Sequence, residues 1–395
     1  MQRSHTLRTG PYRGGATPAG AAVPARAARA VLSRPTAPAS PMAHLLDAGV
    51  LPQQQMMQAG KLSSHALTSQ YLARIRSLCS IGARAHAGIE INPDALKIAL
   101  EMDRERQVHK VRGPLHGIPI VLRDNIATGD RMKTRTQAPS ASSASCDSFI
   151  AARLRAAGAV IIGKSNLRQW AAVSVPHASA SWAGLTILAV DNETHGSIVA
   201  PASTCGLVAI QPTGRAAAGQ ADEAATAGPM APSVREAAWL LAAMSDAGRV
   251  DAPELDPRGL HGRRLGVARS LFGHCAETDG VIEQALQVLR EQGAALLELA
   301  ELPSTPEPGA IEALLHAHAL DALVGPTCHG VSLAHALQPH ITVPAGTVRG
   351  LPAGLSFIGA AHGEARLISM AFAYEQATLH RRTPALPSSI TEALR

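Results

Sequence analysis

Two stretches of this 395-residue chain carry side chains that can do chemistry together. One is Gly113-Pro-Leu-His-Gly-Ile-Pro-Ile-Val-Leu-Arg-Asp-Asn-Ile126. The other is Glu193-Thr-His-Gly-Ser-Ile-Val-Ala-Pro-Ala-Ser203, which runs on into Gly206-Leu-Val-Ala-Ile-Gln-Pro-Thr213. In the second, Ser197 follows Gly196 at the head of an apolar run. A turn there can aim backbone N–H groups at one point beside a hydroxyl, which suits a serine nucleophile next to an oxyanion hole. By itself the signal is weak, since Gly-Ser in a turn is usually only a turn. Other candidates are weaker still. Lys164 in Gly-Lys-Ser-Asn resembles a phosphate binder, and Gly158–Ser165 has the Gly-x-x-x-x-Gly-Lys-Ser/Thr spacing, but its apolar Ala-Val-Ile-Ile interior is that of a buried strand. It reads as the connection from a strand to a helix. Cys205 lies among small residues with nothing nearby to lower its pKa, so it reads as core. The 17 His show no His-Glu-x-x-His spacing, and nearly all read as exposed or satisfied core residues.

The elements that must position these residues alternate between helix and short buried strand. Ser63 or Ser64 caps a helix with Leu67, Tyr71, Ile75 and Leu78 on one face. Asn92-Pro93 opens another, with Ala95, Ile98, Ala99 and Met102 as its face. Ile118–Leu122 reads as a buried strand after Gly117. Asp147 caps a helix that Gly158 stops, and Ala159–Ile162 follows as a strand. Ser233-x-x-Glu236 is a capping box for a helix reaching about Met244. Strands are expected at Leu265–Ala268, Ala295–Leu299, Ala322–Val324, Ile341–Val343 and Leu355–Ile358. Helices are expected from Thr278 or Asp279 to Gly293 and from Glu364 to His380. The pattern predicts an α/β fold, a mixed sheet covered by helices on both faces.

Composition narrows the function. At 46% hydrophobic and 17% charged, the chain can bury a large core and is not a disordered or coiled-coil protein. Its net charge of +6 resides in residues 1–46, which hold six Arg and no acid, so the remainder is neutral. With few aromatics as well, nucleic acid is not expected as a partner. Five widely spaced Cys without a Cys-x-x-Cys exclude a disulfide framework and a zinc motif. A reducing compartment, the cytoplasm, is expected. No membrane span is expected either, since Ala171–Val190 is interrupted by Pro176 and His177. Residues 1–42 are Arg-, Ala- and Pro-rich without periodicity and are expected to be a disordered extension. If they act as a transit peptide, the destination is an organelle. Residues 43–395 are read as one domain.

The two stretches, together with Gly60-Lys-Leu-Ser-Ser, Phe149–Leu167, Gly228-Pro-Met230, Ile341–Gly346 and Gly350–Gly359, resemble the amidase signature family of amide hydrolases, block by block and in order. The resemblance covers about residues 43–385. It is nearer to amidases of broad substrate range than to the A subunit of glutamyl-tRNA amidotransferase. It implies a mixed sheet covered by helices and a Ser–cis-Ser–Lys triad acting on a small-molecule amide, without metal or organic cofactor. On this resemblance Ser197 matches the nucleophile. Thr194, His195, Gly196 and Ser197 match the oxyanion turn. Arg123 stands at the position of the Lys base. The Gly/Ser-rich loop with the relay Ser is missing, because Ser179–Gly184 passes straight into Leu185–Asp191. Further shortening falls between about Asp251 and Asp321 and between Thr327 and Pro339.

The Arg substitution has a definite cost. A guanidinium has a pKa above ~12 and does not surrender a proton in a protein. Arg123 is therefore a fixed cation, to be paired with Asp124, another acid or an anionic ligand, and loss of a general base removes ~10²–10⁴ of rate. His195 and His116 are the imidazoles near enough in sequence to substitute, with His116 read as structural. The expectations are an amidase of severely impaired activity, an inactive homologue that binds a ligand or partner, an amidotransferase-A-like protein, or a truncated frame. Oligomeric state is not legible. Arg123→Lys alone is expected not to restore hydrolysis, measured as release of ammonia or amine from a panel of carboxamides, because the relay hydroxyl remains absent.

Overall fold

The computed structural model describes residues 45–80, 89–133, 146–165, 188–192, 198–213, 227–245, 255–302, 309–327 and 338–382. The expected extension, residues 1–42, lies outside them. A first helix, α1 (Val50–Gln58), precedes α2 (Ser64–Ser80). Ser63 is the cap of α2: its Oγ accepts the Ala66 N–H at 3.0 Å. Ser64 Oγ donates instead to the Gly117 carbonyl and ties α2 to the turn ahead of the next strand. Leu67, Tyr71 and Ile75 are buried as the spacing requires. After β1 (Glu90–Ile91) comes α3 (Ala95–Gln107). Asn92 Oδ1 accepts the Asp94 N–H, so a turn intervenes and the helix starts two residues beyond Pro93.

β2 (Pro119–Arg123) takes in Arg123, with all five residues buried. α4 (Phe149–Ala156) is capped by Ser148, not by Asp147. Asp147 is drawn to the Arg155 guanidinium and the Gly129 N–H, which leaves the helix terminus to the serine. β3 (Val160–Ser165) runs three residues past Ile162, so Lys164 lies within a strand and not in a connection. The pairing of β3 with both β1 and β2 extends it. Next come elements without a clear sequence signal: β4 (Leu188–Asn192), α5 (Val199–Thr204), β5 (Val208–Gln211) and β6 (Ala227–Ala231). β6 even contains Gly228 and Pro229. Its place between two strands outweighs their low strand propensity.

The remaining elements are α6 (Val234–Met244), β7 (Arg264–Ala268), α7 (Ala276–Glu291), β8 (Ala295–Leu299), α8 (Ala310–Ala317), β9 (Ala322–Pro326), the hairpin β10 (His340–Val348) and β11 (Leu351–Ile358), and α9 (Glu364–Thr378); all but α8 were expected, in this order. α7 begins two residues before Thr278, because Asp279 reaches back to the Gly273 N–H. Among the described residues eleven strands form one sheet, in the order β1-β3-β2-β4-β6-β5-β10-β11-β9-β7-β8. β3, β2 and β4 are mutually parallel, as are β9, β7 and β8, and the pairs between these groups are antiparallel. The sheet is therefore mixed, as expected.

Register fixes the faces. Ala209 pairs with Met230 and Thr342, and Thr342 pairs with Ser356. Asp191 pairs with Gly228, two residues from Met230. Asp191, Ala209, Thr342, Ser356 and Gly354 thus share one face. α5 lies on it so closely that a Cβ on Gly354 would sit 2.6 Å from Ser203 Oγ. α7 covers the other face, where Val281 approaches Gly346, the partner of Ala353.

α6 and α9 are joined by Glu375, whose carboxylate accepts the Val234 N–H at 2.8 Å. Burial pushes its pKa up to about 7. A carboxyl raised in the folded state stabilises most below its unfolded pKa and loses that contribution as pH rises through the folded value. Glu375→Gln keeps the acceptor and removes the titration. Relative to wild type the variant gains stability as pH rises from about 4.5 to about 7 and changes little beyond, measured by urea unfolding of both proteins across that range.

Candidate active site

β3, β2 and β4 run parallel, so their carboxyl ends meet at one edge of the sheet. Such edges are where α/β sheets hold ligands. Arg123 closes β2 there, with Ser165 of β3 as its register partner. On the other side, the register Leu122–Val190 carries on to Arg123 and Asp191. Asp191 Oδ1 accepts a hydrogen bond from Arg123 Nη1 at 2.6 Å. Arg123 is 4% exposed and Asp191 1%. The fixed cation thus pairs with Asp191, and Asp124 uses its own N–H to donate to the Ser165 carbonyl.

Strand alternation sends neighbours to the opposite face. Lys164 pairs with Leu122 and points away from the Arg123 side. It is fully buried, and burial lowers its pKa against the opposing pull of Asp130, Glu90, Asp124 and Asp147. At the edge itself two buried oxygens, Ser165 Oγ and Asn125 Oδ1, have no hydrogen-bond partner among the described residues. A buried polar atom left without a partner is costly, so this edge offers hydrogen bonds to whatever approaches it.

Ser197, Thr194, His195 and Gly196 lie outside the described residues. The chain enters that segment from β4 and resumes at Ile198, directly ahead of α5. A Cβ on Gly228 would come within 2.9 Å of Ile198 Cδ1. Gly228 is the register partner of Asp191. The residue next to Ser197 therefore packs on the Arg123–Asp191 face, beside that pair. Two other candidates fall away from the edge. His116 is buried before the start of β2, at the far end of that strand from Arg123, and its Nε2–H donates to the Met102 carbonyl at 3.0 Å. Burial lowers its pKa and holds it neutral. Cys205 is half-buried, and burial pushes its thiol up to about 12.

Beneath α5 the same face carries a hydroxyl network. Thr327 Oγ1 meets Thr342 Oγ1 at 2.7 Å and Ser356 Oγ at 2.8 Å, and Ser356 Oγ meets His340 Nε2 at 2.7 Å. Burial pushes His340 down to about 4, so the network is uncharged at neutral pH. Sequence reasoning missed this network and Asp191 alike. The signal for Asp191 was an acid closing a buried apolar run, Leu-Ala-Val-Asp. Such an acid needs a buried cation, and the run ending in Arg123 offered one.

A layered α/β chain with polar groups gathered at the carboxyl ends of parallel strands is an enzyme-like architecture, and comparison with known proteins gives its family. The Amidase family pattern matches residues 66–181 and 177–323, more than half of the chain. The chain belongs to the amidase family. It is 32% identical over 290 residues to a putative amidase of Arthroderma benhamiae, a match covering 60% of this chain and 48% of that protein. It thus spans about half the length of that relative. A probable amidase of Arabidopsis thaliana is 28% identical over 464 residues, covering 82% of this chain and 88% of the relative. A match that long over a shorter chain leaves a large part of the relative without a counterpart here, as expected from the shortened segments. The native peptide amidase of Stenotrophomonas maltophilia shares the fold with a TM-score of 0.73 at 31% identity, covering 85% of this chain and 98% of that one. Among the described residues no helix is long and apolar enough to cross a membrane.

Asp191→Asn takes the carboxylate from a buried guanidinium and is expected to cost ~3–5 kcal/mol of stability. Arg123→Met/Asp191→Asn, which removes both charges, is expected to recover most of that loss. Urea unfolding midpoints of the two variants and wild type check both statements.

Proposed function

We propose that this chain is an amidase-family protein nominally directed at the C–N bond of a small-molecule carboxamide, with Ser197 as nucleophile, and that its hydrolytic activity is severely impaired or absent. In the implied reaction the Ser197 hydroxyl attacks the amide carbonyl. The N–H groups of the Thr194–Ser197 turn hold the oxyanion, the amine leaves with a proton, and water releases the acyl group from the serine. The step needs a group that takes the Ser197 proton.

The observation that carries the reading is the ion pair at position 123, where the resemblance puts the Lys base. Arg123 is a guanidinium hydrogen-bonded to a buried carboxylate. A guanidinium does not give up its proton in a protein and so accepts none at neutral pH. Ile198, packed beside that pair, supports placing the neighbouring Ser197 near it.

A second reading, a catalytically inactive homologue that binds an amide ligand, is favoured by Ser165 Oγ and Asn125 Oδ1. These two oxygens without partners among the described residues match the donors of a carboxamide. Fluorophosphonate labelling of the folded protein with peptide mapping tests the impairment on which both readings depend. The expected result is little or no tagging at Ser197, in a chain that melts cooperatively. Rapid tagging at Ser197, abolished in Ser197→Ala, would mean that another group activates the hydroxyl and would overturn the predicted impairment.

A further inference from the structure

An amine accepts a proton only when neutral, and its surroundings set that state. Burial favours the neutral amine, and an opposite charge within about 4–6 Å favours the ammonium. At position 123 the two effects oppose each other. The side chain is 4% exposed, which by itself would draw a lysine there toward neutrality. The Asp191 carboxylate, itself 1% exposed, lies 2.6 Å from the cation and acts the other way.

The neighbours in register with this pair are uncharged. β3 contributes the uncharged Ser165 in register with position 123. Lys164 of β3 stands on the opposite face, and Asp124, next along the chain, is among the carboxylates acting on Lys164. From the α5 side the neighbour is the apolar Ile198, over Gly228. Asp191 supplies a carboxylate hydrogen-bonded to position 123.

We propose that Asp191 sets the charge at position 123: it holds any cation there in its protonated form, so Arg123 and Asp191 act as one unit and an Arg-to-Lys change by itself leaves the proton acceptor blocked. The proposal rests on the reading that position 123 is the site of the family base. It makes Asp191 a positioning residue, acting through its neighbour and not on substrate. It also supplies a second reason, independent of the missing relay loop, for the expected failure of Arg123→Lys.

The test reads the charge directly. The chain has five lysines, Lys61, Lys97, Lys110, Lys133 and Lys164. Lysine labelled with carbon-13 at Cε therefore gives five resonances in wild type and a sixth in Arg123→Lys. With Asp191 in place the sixth resonance is expected to titrate at or above the ordinary lysine value of about 10.4. Arg123→Lys/Asp191→Glu, which keeps the carboxylate, is expected to behave alike. In Arg123→Lys/Asp191→Asn the midpoint is expected to fall by about one to three pH units.

A sixth resonance titrating near neutrality in Arg123→Lys overturns the proposal, and this variant keeps both charges and so is the one expected to fold. Equal midpoints with Asp and Asn at 191 overturn it as well. Fluorophosphonate labelling of the same variants distinguishes this proposal from the functional one. A lowered amine midpoint leaves the role of Asp191 standing whatever the labelling shows, whereas rapid tagging of wild type at Ser197 overturns the predicted impairment and leaves the midpoints to decide on Asp191.

Discussion

A guanidinium buried at the end of a strand has to be met by a carboxylate, and much of this site depends on how that demand is satisfied. Arg123 ends β2 with almost no access to water. Asp191 meets it only because β4 lies beside β2, parallel and in a register that brings the two strand ends level. A shift of one residue would turn Asp191 to the other face and leave two buried charges apart. The ion pair and the strand order therefore constrain each other. Replacing such a pair by well-packed apolar groups often leaves stability unchanged, whereas breaking it is costly. Its retention here maintains a fixed cation and a fixed anion at the edge where an amidase would do its chemistry.

The elements that flank the proposed nucleophile segment meet at the same edge. β4 leads into the segment with Ser197, and α5 leads out of it across the face that carries Asp191. Two glycines permit the close approach. At Gly228 a Cβ would strike Ile198, and at Gly354 it would strike Ser203 and Thr342. Below α5 the Thr342–Thr327–Ser356–His340 network satisfies polar groups that would otherwise be buried without partners. Burial keeps His340 neutral, so the helix rests on a surface without net charge.

Shortening relative to longer family members has left the central architecture standing. Among the described residues eleven strands join in one sheet, and the larger of two apolar clusters extends from Leu46 to Tyr374 of α9. A fold of this kind tolerates loss at its connections more readily than in its strands, because connections bury less apolar surface. What such losses alter is the site, since in α/β proteins the connections beyond the strand ends carry the functional groups. The chain thus combines the fold of an amide hydrolase with a strand edge whose charges are locked together.

The alternation of helical and strand patterns, the helix at Ser64–Ser80, the capping of α6 by Ser233 and the strands near Arg123 were legible in the sequence, because each depends on local periodicity or a single side chain near a helix end. Ser197 and Arg123 stood out by their blocks of residues, and the charge of Arg123 followed from its chemistry alone. What the sequence could not decide was the partner of that charge. Asp124 adjoins it, whereas Asp191 is 68 positions away. β4, β5 and β6 escaped notice for the same reason, as short segments, β4 with an acid and β6 with Gly and Pro, become strands only when neighbours supply their hydrogen bonds. Local composition determined which residues were charged, apolar or able to cap. Long-range pairing between strands decided which charges met, on which face and at which edge.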